Sequence, residues 1–267
     1  MSDVDQARAR SFDEWAGDYD RFRPGYPDEL FETIAARLTL PRIPHVVDVG
    51  AGTGRASLAM AALGWRVTAV EPGKGMLDVL RGRAANEGLL ISTVQASAEA
   101  TGLDAGSADL VTAAQAFHWF DKVAALHEMA RILKPGGGIA LFWNMRDPSR
   151  SPFLADYRAL LHDYVGDADA GRYEDEGHAA IRAAFADVTT LAEPTLLQLH
   201  QDVPMSDEEF IGMAFTASYV RVNKTQEEQD RFRIGLAGLL GRHGLNDGRP
   251  FAVPYRIDLW MSTRSDR

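Results

Sequence analysis

Val46-Val47-Asp48-Val49 is a short β-branched run that ends abruptly in Gly50-Ala51-Gly52-Thr53-Gly54, three glycines at alternate positions. An alanine-rich pattern of helical period follows from Arg55 to Leu63, and Val67-Thr68-Ala69-Val70 then leads into Glu71. The order is strand, tight turn, helix N-terminus, and a second strand tipped with a carboxylate. Glycines let the main chain turn with positive φ and let a ligand approach it closely. A carboxylate at the tip of the second strand is placed to accept both hydroxyls of a ribose. The feature constrains the chain to an α/β sheet with a nucleoside at its edge.

Two details argue against a dinucleotide. The spacing is G-x-G-x-G, not the G-x-G-x-x-G that seats a pyrophosphate on a helix dipole. Asp48, just ahead of the first glycine, would repel a pyrophosphate and attract an ammonium group. In these residues the chain resembles the class I S-adenosylmethionine-dependent methyltransferases, whose first motif reads much like Asp48-Val49-Gly50-Ala51-Gly52-Thr53-Gly54. The resemblance covers most of residues 12–144. It takes in Val94-Gln95-Ala96-Ser97-Ala98-Glu99, similar to the family segment that frames adenine, and the turn Leu133-Lys134-Pro135-Gly136-Gly137 before the fifth strand. The family usually has Asp where this chain has Ser97, whose hydroxyl accepts more weakly than an ionised carboxylate. Tyr19 to Pro27 and Gln115-Ala116-Phe117-His118-Trp119-Phe120-Asp121 are similar to the branch containing trans-aconitate methyltransferase-like enzymes, which act on small molecules.

The resemblance implies S-adenosylmethionine as cofactor, S-adenosylhomocysteine as product and no metal. Its contacts are expected from Tyr19, Arg23, Asp48, Gly50, Ala51, Gly52, Thr53, Gly54, Glu71, Met76, Ser97, Ala98, Glu99 and Gln115. Arg23 is the candidate cation for the cofactor's carboxylate, on an N-terminal segment folding over the site. Met76 suits an apolar shelf under the adenine.

Hydrophobic periodicity places strands at 45–49, 65–70, 90–95, 109–114 and 139–143, with helices at 54–63, 74–86 and 122–133 between them. Strand and helix alternating in this way form a parallel sheet covered on both faces. The pattern changes after residue 150. Residues 151–185 look helical, a strand pair is expected within 187–203, and helices are expected at 206–217 and 225–242. Ser206 with Glu209 reads as a capping box, and 251–263 alternates as a late strand. The expectation is a doubly wound, seven-stranded, mostly parallel Rossmann-like sheet with an antiparallel final strand pair and a helical cap. The chain divides into an N-terminal lid (1–40), a cofactor-binding core (41–150) and a cap with the closing strands (151–267), all one structural domain.

Across 267 residues, 28 Lys and Arg stand against 38 Asp and Glu, a formal net charge of −10. Nucleic-acid binding relies on a dense basic surface, so that balance argues against it. Without cysteine, disulfides, thiolate metal sites and cysteine nucleophiles are excluded. A polar, acidic N-terminus does not suit a signal peptide, and no apolar run approaches the ~20 residues that span a bilayer. The expectation is a cytoplasmic protein without membrane partners, acting on a small molecule; its oligomeric state is left open.

Methyl transfer from a sulfonium needs in-line approach more than an elaborate base, yet oxygen or nitrogen acceptors of high pKa benefit from one, and His is the default. His118 alone among the seven histidines lies in the loop after the fourth strand, so it is the candidate catalytic base, with a titration near ~6.5 if unperturbed. His45, His127, His162, His178, His200 and His243 show no metal-ligand spacing. Phe117, His118, Trp119, Trp143 and Asn144 are the expected acceptor-site residues, because ligands bind at the carboxyl ends of strands in open α/β sheets. Two alternatives stand beside a small-molecule methyltransferase acting on an oxygen or nitrogen nucleophile or on a carboxylate. Glu71 also suits a nicotinamide-dependent oxidoreductase, and the same scaffold can hold S-adenosylmethionine without transferring methyl.

Overall fold

The computed structural model describes residues 22–166, 175–221 and 224–265. Helix α1 (Asp28–Arg37) precedes five strands with three helices between them: β1 (His45–Val49), α2 (Arg55–Ala62), β2 (Arg66–Val70), α3 (Lys74–Asn86), β3 (Ile91–Val94), β4 (Ala108–Ala114), α4 (Lys122–Ile132) and β5 (Leu133–Arg146). Then follow α5 (Pro152–Val165), α6 (Asp175–Ala186), β6 (Thr195–Met205), α7 (Asp207–Phe215), the short α8 (Ser218–Arg221), α9 (Gln226–Arg242) and β7 (Phe251–Thr263). Single 3-10 turns lie at Phe117–Trp119 and Pro148–Arg150. No helix among the described residues is long and apolar enough to cross a membrane.

The seven strands run in the order β3-β2-β1-β4-β5-β7-β6. β1 to β5 pair in parallel, and β7 lies antiparallel to both β5 and β6. The order reverses between β1 and β4, and such a switch point opens a crevice at the carboxyl ends of the strands. Period-two alternation feeds both faces of the sheet. Ile139, Leu141 and Trp143 of β5 join Phe117, Leu126, Met129 and Trp260 on one face. Ala140 and Phe142 join Phe31, Ile34, Met60, Ile257 and Leu259 on the other. A third apolar cluster packs α5, α7 and α9 through Phe153, Tyr157, Phe210, Met213, Phe232 and Leu236 against Val253 and Tyr255 of β7. That cluster sets a helical layer beside the carboxyl edge of the sheet.

The expected architecture is present, with three local differences. β5 extends over 133–146 because Leu133 pairs with Ala108 ahead of a register shift and its far end pairs with β7 as far as Arg146 opposite Tyr255. Within the stretch 187–203 the strand begins only at Thr195: β6 forms the expected antiparallel final pair with β7 and is preceded by a turn and an isolated bridge between Leu191 and Arg264. The helix expected over 206–217 stops at Phe215, while its capping box forms as read: Glu209 N–H donates to Ser206 Oγ at 3.2 Å and Ser206 N–H to Glu209 Oε2 at 2.8 Å.

Asp48 fastens three elements behind the glycine turn. Its Oδ2 accepts from Ser57 Oγ of α2 at 2.6 Å and its Oδ1 from Thr112 Oγ1 of β4 at 2.8 Å, with the side chain wholly buried. Burial pushes the carboxyl up to about 6, against the opposing pull of the Ser57 and Thr112 hydroxyls and the Ser57 N–H. A carboxyl whose folded pKa lies above its unfolded value binds an extra proton in the native state, so this contribution to stability is lost as pH rises through about 6. The shift corresponds to about 3 kcal/mol. In urea unfolding, Asp48→Asn is expected to gain about 3 kcal/mol on the wild type between pH 4 and pH 8. A gap independent of pH would contradict this.

Candidate active site

The glycine turn is held by contacts that leave little freedom. Gly50 N–H and Ala51 N–H both donate to Val70 O, at 2.8 and 3.1 Å, locking the end of β1 to the end of β2. A Cβ at Gly54 (φ 87°) would stand 2.6 Å from Leu80 Cγ, and one at Gly50 would stand 2.7 Å from Ala116 Cβ. Gly52 differs: it too has positive φ, 56°, but a Cβ there would meet nothing within 4 Å. Packing therefore demands the outer two glycines, and the middle one faces open space. Glu71 meets the turn from β2, its Oε2 accepting from Gly52 N–H at 3.0 Å and its Oε1 from Gly73 N–H at 2.9 Å. Two main-chain donors thus orient the carboxylate at the rim of the turn.

Ser97 is exposed just past β3, in an isolated bridge with Ala100, and Glu99 Oε1 accepts from Asp121 N–H at 3.0 Å. Gln115, past β4, has φ 55°, in the left-handed region that non-glycine residues rarely adopt. Its N–H donates to Phe142 O at 2.9 Å and its side-chain amide to Asn144 O at 3.0 Å. The turn, Glu71, Ser97–Glu99 and Gln115 thus follow consecutive strands along one edge. Thr53, Met76 and Ala98 sit there with buried side chains. Asp48 departs from its expected role, because its carboxylate is turned inward to Ser57 and Thr112 and offers nothing to an ammonium group. Tyr19 lies outside the described residues.

Beside this edge a cleft of about 160 Å³ opens between the ends of β4 and β5, the Pro24–Tyr26 segment and the helical layer, with His118, Trp119, Trp143 and Asn144 in its walls. Asn144 Nδ2 donates to Gly25 O at 3.1 Å, and Gln201 of β6 donates to Asn144 Oδ1 at 3.1 Å. Arg23 donates from Nε to Thr216 Oγ1 at 2.8 Å, so the residue expected to hold the cofactor's carboxylate ties the entering segment to the helical layer. Phe117 is fully buried in the core. It reaches only a smaller cavity of about 50 Å³ behind Trp143, not the main cleft.

His118 has a defined tautomer. Trp143 Nε1 lies 3.3 Å from its Nδ1, and because an indole N–H can only donate, Nδ1 is the acceptor and the ring proton sits on Nε2. Burial, reinforced by the charges of Lys122 and Arg23, pushes His118 down to about 3. The direction of that shift runs against the ~6.5 expected of an unperturbed ring. Among the cleft residues that escaped the sequence reading are Arg55, Arg146, Tyr219 and Tyr255. Arg146 lies on the part of β5 beyond its apolar run, and Tyr255 faces it across the β5–β7 ladder. The signal for both was the length of that ladder.

Residues 47–141 match the family model described as a methyltransferase domain. An uncharacterised methyltransferase of Mycobacterium tuberculosis is 42% identical over 256 residues, covering 92% of each chain. A solved structure from Anaeromyxobacter dehalogenans described as a type II methyltransferase superposes with a TM-score of 0.64 at 27% identity, over 90% of this chain and 97% of that one. A Haemonchus contortus phosphoethanolamine N-methyltransferase shares the fold alone, with a TM-score of 0.57 at 15% identity over 100% of this chain and 61% of its own.

The packing contrast within the turn is open to a direct check by denaturant unfolding. Gly54→Ala combines left-handed strain with overpacking against Leu80 and is expected to cost about 2–5 kcal/mol. Gly52→Ala, with open space around it, is expected to cost only the strain, about 1–2 kcal/mol. Equal losses would contradict the assignment of the two positions.

Proposed function

Since the chain belongs to the class I S-adenosylmethionine-dependent methyltransferases, we propose that it methylates an oxygen or nitrogen nucleophile of a small molecule by direct displacement. The observation that carries this reading is the cleft of about 160 Å³ beside the glycine turn, walled by Tyr26, Trp119, Trp143, Tyr219 and Tyr255. Its size suits a small molecule, with aromatic walls to pack on it and a few polar groups to fix orientation.

The residues present fit the cofactor. Open space at Gly52 leaves room for close approach to the main chain, and Glu71, oriented by two N–H donors, suits a pair of ribose hydroxyls. Ser97, Ala98 and Glu99 then border the base, and Gln115 separates the nucleoside edge from the cleft. When bound, S-adenosylmethionine supplies a methyl carbon made electrophilic by its sulfonium. The chain's own part is to bring the acceptor in line and keep it there, which is where most of the rate advantage of such a site resides. The Gly25–Asn144–Gln201 contacts hold the entering segment across the cleft mouth. His118, neutral and carrying its proton on Nε2, serves as a hydrogen-bond donor that positions the acceptor, in place of a base.

Two outcomes test this reading. Glu71→Ala is expected to lower affinity for S-adenosylhomocysteine about ten- to a hundred-fold in calorimetry, ~1.5–3 kcal/mol; unchanged affinity would place the nucleoside elsewhere. With an acceptor found by screening small molecules against labelled donor, kcat is expected to show no histidine inflection between about pH 5 and 8. His118→Ala is then expected to raise acceptor KM roughly tenfold while the pH profile stays unchanged. A wild-type inflection near ~6.5 that His118→Ala abolishes would restore the base.

A further inference from the structure

Arg146, in the wall of the cleft at the end of β5, has no carboxylate partner among the described residues. Its Nη1 lies 3.2 Å from Met213 Sδ and its Nη2 3.4 Å from the Tyr219 hydroxyl, a poor acceptor and a long contact. Its Cζ sits 5.0 Å from the centre of the Tyr157 ring. An arginine keeps its charge in any protein environment. Beside it, the buried hydroxyls of Tyr157 and Tyr255 have no hydrogen-bond partner among the described residues, with those side chains only 2% and 3% exposed. The positive charge of Arg23 also reaches both tyrosines. In a chain of net charge −10, this is a local inversion of sign.

Buried polar groups are paired in native proteins, so orphan donors gathered around an unbalanced cation point to an absent acceptor. A water could satisfy one hydroxyl but would leave the charge. A neutral amide or alcohol would leave it too. A carboxylate is acceptor-only, matches the guanidinium fork and has lone pairs left for a phenol. A phosphate carries close to two charges and three strong acceptor oxygens, and with Arg23 and Arg55 in the same cleft it is the competing anion that the test below includes.

We infer that the acceptor carries a carboxylate that seats on Arg146 with the Tyr255 hydroxyl as second donor, and that this carboxylate is a recognition handle distinct from the atom methylated. The inference rests on the methyltransferase reading above. A carboxylate whose lone pairs are engaged by a guanidinium and a phenol is a poor nucleophile, so the methyl goes to another group of the same molecule, and the handle stays ionised throughout.

The test uses the full chain saturated with S-adenosylhomocysteine and three probes: benzoate, its neutral isostere benzamide, and inorganic phosphate. Benzoate is expected to bind at least about tenfold more tightly than benzamide, and Arg146→Met to abolish that preference. Tyr255→Phe removes an unpaired buried hydroxyl without changing the ring, so it is expected to raise the ligand-free Tm while weakening benzoate several-fold. A residue that only packs would not move the two readouts in opposite directions, and this variant carries the test if Arg146→Met fails to fold. Equal binding of benzoate and benzamide, binding of neither, or a Tyr255→Phe variant with lower Tm and unchanged benzoate affinity would overturn the inference. Phosphate binding more tightly than benzoate, and losing that affinity in Arg146→Met, would overturn the carboxylate assignment. Calorimetry with S-adenosylhomocysteine on the same sample separates the two claims. Failure there sinks the methyltransferase reading, whereas normal binding without a benzoate preference sinks only this one.

Discussion

Leu80 and Ala116 leave no room for a side chain at Gly54 and Gly50, and the whole nucleoside edge depends on that closeness. Because α3 and the β4 loop press directly on the turn, the end of β1 sits within hydrogen-bonding distance of the end of β2. Glu71 is thereby brought against Gly52 N–H, and one open position remains between two closed ones. A turn built this way is rigid before any ligand arrives, and preorganisation of that kind reduces the entropic cost of binding. Asp48 reinforces it from behind by joining β1 to α2 and β4 through two hydroxyls. The cost is a carboxylate held in an environment that disfavours its charge.

Local signals in the sequence reach as far as this turn and stop where long-range packing takes over. The β-branched run, alternate glycines and Glu71 are all adjacent in sequence, and the strand order follows from right-handed crossovers between neighbours. Asp48 shows the limit. Its place before the first glycine is apparent, but whether it faces ligand or core depends on Ser57 and on Thr112, 64 residues away. His118 shows it again. Residue type suggested a base, whereas burial and the neighbouring charges of Lys122 and Arg23, none of them legible from residue type, push the ring's pKa down. Phe117 precedes His118 in the same 3-10 turn yet points to the core. Arg146 and Tyr255 are 109 residues apart and meet only because β5 runs past its apolar segment to pair with β7.

The antiparallel β7 links the two halves of the account. Its apolar residues complete both faces of the parallel sheet through Trp260 on one side and Ile257 and Leu259 on the other. Its first half belongs to the helical layer, where Val253 and Tyr255 pack with α5, α7 and α9. One strand therefore fixes the parallel sheet and the cleft beside it in a single frame. Phe22 packs on that layer and Tyr26 meets Phe142 edge-on at 4.9 Å, so the entering segment is fastened to both sides of the cleft it crosses.

The central claim is that the edge formed by Gly50–Gly54 and Glu71 recognises the adenosine of a sulfonium donor and not a dinucleotide. Calorimetric titration of the wild-type chain with S-adenosylhomocysteine, and separately with NADH, tests it most directly. The account predicts one site for S-adenosylhomocysteine and no heat of binding with NADH. Binding of NADH with no response to S-adenosylhomocysteine would contradict it.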